Sequence, residues 1–148
     1  MAGPPVPVPD PDTAGVSAGD GLSANCAARP ESVAAARAAV VEFAARSGAS
    51  PATLEAVALA VSEAATNVVV HAYRDAAEPG VIEVAAAKAG GELWVIVADG
   101  GSGLRPRRDS KGLGLGLGLI AQVSDGVDLV HRTAGGLELR MRFALAPT

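Results

Sequence analysis

Glu63, Asn67 and His71 recur at four-residue intervals within Ser62 to Tyr73. On a helix that spacing stacks them into one polar line against a wall of Ala and Val. Asn has poor helix propensity and the run Val68, Val69, Val70 loses rotamer freedom in a helix, so helicity alone does not account for this segment. Two glycine-rich stretches follow. Asp99 leads into Gly100, Gly101, Ser102 and Gly103, and it reads either as a turn residue ending a strand or as an acceptor for the amino group of a purine. Gly112, Gly114, Gly116 and Gly118 alternate with leucines, a pattern shared by strands, low-complexity segments and phosphate loops. Glycines allow close approach of backbone to an anion, and amides at a helix N-terminus supply donors and positive potential. No Lys-Ser or Lys-Thr pair follows the glycines, and no early strand-glycine-helix unit exists, so neither a Walker loop nor a dinucleotide fingerprint is present. Only His131 remains to join His71, which argues against a transition-metal site.

These residues need elements to hold them. Residues 1–21 are rich in Pro, Gly, Ala and Asp without a periodic apolar face and are expected to form a flexible tail. The remainder, 22–148, is expected to be one domain. Leu22 to Ala28 is a weak candidate for a first strand. Pro30 opens a helix predicted over Glu31 to Arg46 and ended by Gly48. Ser50 and Pro51 are a cap and first helical position for a central helix reaching towards Tyr73, with Leu54, Val57, Val61, Ala64 and Val68 on its buried face. Val81 to Ala87 and Glu92 to Ala98 read as a hairpin turning at Lys88 to Gly91. Trp94 fits either face. A basic loop with Arg105, Arg107, Arg108 and Lys111 precedes the alternating glycines, which lead into a helix through Val123. Val127 to Thr133 and Leu137 to Leu145 read as a second hairpin. Helices on one face of a mixed sheet, an α+β two-layer sandwich, is the architecture this order predicts.

Composition narrows the function classes. Of 148 residues, 49% are hydrophobic but only 3% aromatic, so the core is aliphatic and Ala-rich. A net charge of −4 carries no nucleic-acid footprint. Cys26 is the only cysteine, which excludes an internal disulfide and fits a reducing compartment. No uninterrupted apolar run approaches a membrane span, and the proline-rich start lacks the features of an export signal. A cytoplasmic protein without membrane attachment is expected.

Taken together, Glu63 and Asn67 on a helix, Asp99, Gly101 and Gly103 after a strand, then Gly112, Gly114 and Gly116 resemble the nucleotide-binding boxes of the GHKL ATPase superfamily of gyrase, histidine kinases and MutL. Val61 to Asn67 with His71 to Tyr73, and the ending Gly114 to Ile120, are most similar to the stand-alone bacterial anti-sigma factor serine kinases. The resemblance covers about Ala28 to Leu145. It implies the α/β sandwich of that superfamily, with ATP between the central helix and the glycine-rich segments. It assigns Asn67 to Mg²⁺, Asp99 to the adenine amino group, Gly101 and Gly103 to the base pocket, and Gly112, Gly114 and Gly116 to the phosphate side. Glu63 matches the general base. The resemblance further implies a homodimer, a sigma factor held inactive, and an anti-sigma antagonist phosphorylated on serine. The short span between Gly103 and Gly112 and the lack of an upstream phosphoacceptor helix pair disfavour a sensor-kinase fragment. The competing reading is a non-catalytic module that binds ATP and restrains a partner by binding alone.

Overall fold

The computed structural model describes residues 21–72, 80–99, 111–133 and 136–145, with the main chain alone at 71–72 and 111–116. Residues 1–20 of the expected tail, the loop glycines Gly101 and Gly103, and Arg105, Arg107 and Arg108 lie outside the described residues, and Gly21, placed at the end of that tail, is the first residue of a strand. The chain runs β1 (Gly21–Ala27), α1 (Pro30–Arg46), α2 (Pro51–Asn67), a π-helical turn (Val68–Ala72), β2 (Val81–Ala89), β3 (Glu92–Asp99), α3 (Lys111–Val123), β4 (Gly126–His131) and β5 (Leu137–Ala144).

Local chemistry sets the helix ends. Ser50 caps α2 by accepting a 3.1 Å hydrogen bond from the Thr53 amide, and Pro51 occupies the first turn, where its missing N–H costs nothing. Ser47 closes α1 by donating its hydroxyl to the Phe43 carbonyl at 2.8 Å, and Gly48 turns the chain with φ of 97°. The first hairpin is tighter than its sequence suggests. Ala89 pairs with Glu92, leaving Gly90 and Gly91 as a two-residue turn with φ of 60° and 77°. Positive φ at both positions matches the right-handed twist of the flanking strands, and glycine adopts it without strain.

The sheet order is β1-β2-β3-β5-β4, and every neighbouring pair is antiparallel. The expectation of a mixed sheet is corrected on this point. β3 and β4 do run in the same direction, joined through α3, but β5 inserts between them and separates the parallel pair. The helices cover one face. Val40 and Phe43 of α1, Val57 and Val61 of α2, and Ile120 of α3 join Ile82, Val95, Met141 and Phe143 of the sheet in one core. Alanines at 60, 64 and 65 keep α2 close to its neighbours. On the opposite face Ala85, Ala87, Ile96 and Ala98 are buried as well. Burial on both faces explains why β3 is a continuous apolar run instead of an alternating one. Trp94 lies on this second face, with the Arg142 guanidinium 5.8 Å from its ring centroid.

The segment Pro51–Val70 is long and apolar enough to cross a membrane by length and composition, although Glu55 and Glu63 interrupt its apolar run. Its Val57, Ala60, Val61, Ala64 and Ala65 are buried in the core, as expected for the central helix of the domain. The alternating glycines differ from expectation too, because they lie inside α3 and do not precede it. Glycine weakens a helix interior by roughly 0.5–1 kcal/mol relative to alanine. A Cβ on Gly118 meets nothing within 4 Å. Gly118→Ala is therefore expected to stabilise the domain by roughly 0.5–1 kcal/mol, read as a higher urea midpoint with an unchanged m-value.

Candidate functional site

The three sequence segments meet through their elements. α2, which carries Glu63 and Asn67, packs against α3, which carries Gly112, Gly114 and Gly116. β3, which ends at Asp99, contacts the π-helical turn that follows Asn67. Glu63 is half-buried, and its neighbour Ser62 accepts a 3.0 Å hydrogen bond from Arg37 Nη1 of α1. This bond ties the helix pair together beside the carboxylate.

Asn67 ends the regular part of α2. It is 8% exposed, and its side-chain nitrogen is buried with no hydrogen-bond partner among the described residues. The Val68 N–H is shared between the carbonyls of Ala64 and Ala65, and the helix then widens into the π turn. Widened turns of this kind cluster at functional sites. Burying an unpaired amide costs free energy, so this side chain is not placed for stability. An amide with one polar atom buried and unpartnered fits a role towards a bound group, and its oxygen suits a hard cation such as Mg²⁺. His71 falls in the π turn, outside the residues whose side chains are described, and His131 is exposed at the end of β4. No group of three or more His, Cys, Asp or Glu side chains placed to hold a metal occurs among the described residues.

Asp99 is fully buried, on the helix-facing side of the sheet at the end of β3. The last residues paired between β3 and β5 are Ala98 and Glu138. One step further the main-chain ladder opens. The Leu137 N–H donates to Asp99 Oδ2 at 2.9 Å, and the Asp99 carbonyl accepts from Arg132 Nη1 at 3.2 Å. A carboxylate thus takes the ladder position, which makes Asp99 more than a turn residue. A buried acceptor with a fixed orientation fits the exocyclic amino group of a purine.

Sequence reasoning missed Arg132. It follows β4, and its own amide donates to the Gly136 carbonyl at 3.0 Å across the second hairpin. Its guanidinium pairs with Glu83 at 2.9 Å and Glu138 at 3.2 Å. Burial works against the charge, and hydrogen bonds to Glu83 and Glu138 together with their negative charges outweigh it, so the guanidinium pKa is raised. The sequence signal is faint, since Glu83 and Glu138 become neighbours of Arg132 only through strand pairing.

The residues 26–143 match the family of histidine kinase-like ATPase domains. The chain belongs to that family, the GHKL-type ATPases that the boxes resemble. Among solved structures it is similar to the RsbU and RsbW domains of Rv1364c from Mycobacterium tuberculosis. The two share 26% sequence identity with a TM-score of 0.68, over 86% of this chain and 33% of the other. This chain thus spans about a third of that protein's crystallised chain. No curated protein matches.

Replacing Asn67 by leucine removes the unpartnered amide while keeping its approximate volume. Asn67→Leu is expected to leave the ligand-free domain as stable as the native protein or more stable by about 1 kcal/mol, a melting temperature higher by up to a few degrees. A melting temperature several degrees lower would mean that the amide is satisfied in the folded protein.

Proposed function

We propose that this domain binds ATP with Mg²⁺ and transfers the γ-phosphoryl group to a serine of an anti-sigma antagonist protein, and that it holds a sigma factor inactive by binding it. The observation that carries the ATP pocket is the fully buried Asp99 carboxylate at the end of β3, a strand that contacts the turn following Asn67. Membership of the histidine kinase-like ATPase domains supports the cofactor, and the likeness to a structure containing an RsbW domain supports the regulatory role.

In this reading Asp99 accepts a hydrogen bond from the adenine amino group, with Gly101 and Gly103 shaping the wall beside it. Asn67 offers its amide oxygen to Mg²⁺, and the main-chain amides of the first turn of α3, at Gly112 and Gly114, face the phosphates, with Gly116 one turn further along the same helix. When bound, the metal nucleotide supplies the phosphoryl group and neutralises charge developing on its oxygens. Glu63 accepts the proton of the substrate serine hydroxyl as that oxygen bonds to the γ-phosphorus and the bond to the departing ADP oxygen breaks. Phosphoryl transfer asks a protein mainly for positioning and charge neutralisation, which an Asn, a carboxylate and backbone amides can supply. A homodimeric, cytoplasmic protein without direct contact to nucleic acid or membrane completes the reading.

Two measurements test it. With Mg²⁺-ATP at about 100 times its dissociation constant the domain should gain roughly 2.7 kcal/mol of stability. Asp99→Asn should lose that gain, and GTP should not produce it. Glu63→Gln should keep the ATP-dependent shift yet transfer less than about one hundredth of the phosphate that the native protein does to a serine-bearing antagonist. Native-rate transfer by Glu63→Gln would remove Glu63 from the base role. ATP binding without transfer by the native protein would favour the module that restrains its partner by binding alone.

A further inference from the structure

On the outer face of the sheet, Glu83 of β2 pairs across from Ala98 of β3, and Ala98 pairs across from Glu138 of β5. Two carboxylates therefore flank one alanine in a single row. With strands spaced about 4.8 Å apart, the two glutamates stand roughly two strand widths from each other. Ala98 is 1% exposed and has no side chain beyond Cβ, so the space over it is open to a third group. The Arg132 guanidinium joins both sides, with Nη2 on Glu83 at 2.9 Å and Nε on Glu138 at 3.2 Å. Its remaining terminal nitrogen, Nη1, reaches the main-chain carbonyl of Asp99 at 3.2 Å. Glu138 is braced from its other side by Arg140. One guanidinium thus links the ends of β2, β3 and β5, and its third bond falls on the residue whose side chain enters the candidate base pocket from the opposite face.

We propose that Arg132 is a positioning residue for base recognition: it holds the Asp99 main chain from the outer face, so that the Asp99 carboxylate meets the purine at a fixed angle. This inference rests on the reading of Asp99 as the base-recognition carboxylate. The geometry divides the work. The Leu137 N–H orients Oδ2, and Arg132 fixes the carbonyl of the same residue where the main-chain ladder has opened. A planar guanidinium can serve these three acceptors at once because its donors form a rigid fork, which an ammonium does not reproduce. Without that anchor the end of β3 keeps its pairing with Ile82 of β2 but loses a tie on its β5 side, and a shift of a few tenths of an ångström there loosens a recognition hydrogen bond for one base more than it changes contacts to phosphates shared by all nucleotides. The consequence is specific to the base.

The test compares Mg²⁺-ATP and Mg²⁺-GTP binding by calorimetry for the full chain and four variants: Arg132→Met, Arg132→Lys, Asp99→Asn, and the triple variant Glu83→Gln, Arg132→Met, Glu138→Gln. The triple variant removes the like charges that Arg132→Met leaves facing each other, and so keeps the measurement available if the single variant does not fold. Arg132→Met and the triple variant should weaken ATP by about tenfold and narrow the preference for ATP over GTP by a similar factor. Arg132→Lys should recover part of both. If ATP affinity and preference stay within about twofold of the native protein while Asp99→Asn loses the preference, Arg132 is not a positioning residue and the reading of Asp99 stands. An equal loss for both nucleotides would mark Arg132 as a structural residue only and would overturn the inference. If Asp99→Asn keeps the native preference, or the native chain binds neither nucleotide, the reading of Asp99 falls and the inference with it.

Discussion

Asp99 places a carboxylate where water does not reach, at the end of a strand packed on both faces. Removing such a group from solvent is unfavourable unless hydrogen bonds replace the lost hydration. The sheet topology provides the replacement. Because β5 inserts between β3 and β4, the first residue of β5 stands beside the last residue of β3, and its amide is directed at the carboxylate. The hairpin that returns β4 into β5 delivers Arg132 to the carbonyl of the same aspartate. A change in that strand order would take the Leu137 amide away from the buried carboxylate and Arg132 away from the carbonyl of the same residue.

The second polar group of the site is accommodated differently. Asn67 stands where α2 gives up regular helical geometry for a π turn, and one of its side-chain atoms is buried without a partner. The surrounding helix can carry this cost because Val57, Ala60, Val61, Ala64 and Ala65 anchor it in the core. Stability thus comes from the apolar face, and the polar face is left to function. The same division runs through α3, where glycines weaken a helix that Ile120 pins to the core at its far end. Local rules of helix formation are violated at the positions the family boxes occupy, a pattern expected of functional sites.

Glu63 and Asp99 illustrate how environment separates two carboxylates. Glu63 sits half-buried on α2 next to a serine bonded to Arg37, with access to solvent. Asp99 is enclosed and hydrogen-bonded by main chain. In the proposed reading the accessible group moves a proton and the enclosed group recognises a base, roles that follow from exposure more than from residue type.

The sequence by itself determined α1, the start of α2, the hairpins and the family. Ser50 with Pro51, and Gly90 with Gly91, act through backbone conformation within a few residues, so their consequences are legible locally. The spacing of Glu63 and Asn67 and the Asp99 stretch are legible for the same reason, as short patterns on single elements. Sheet order and pairing were decided only in three dimensions. Whether β3 and β4 pair as parallel neighbours or are parted by β5 depends on which strand edges meet, and no local residue encodes that choice. The alternating glycines read equally as a strand, a low-complexity segment or a phosphate loop, and only in the folded chain do they lie within α3, packed against α2. Arg132 is the plainest case. Its partners Glu83, Asp99 and Glu138 lie 49, 33 and 6 residues away in sequence, and they converge only because β2, β3 and β5 lie side by side.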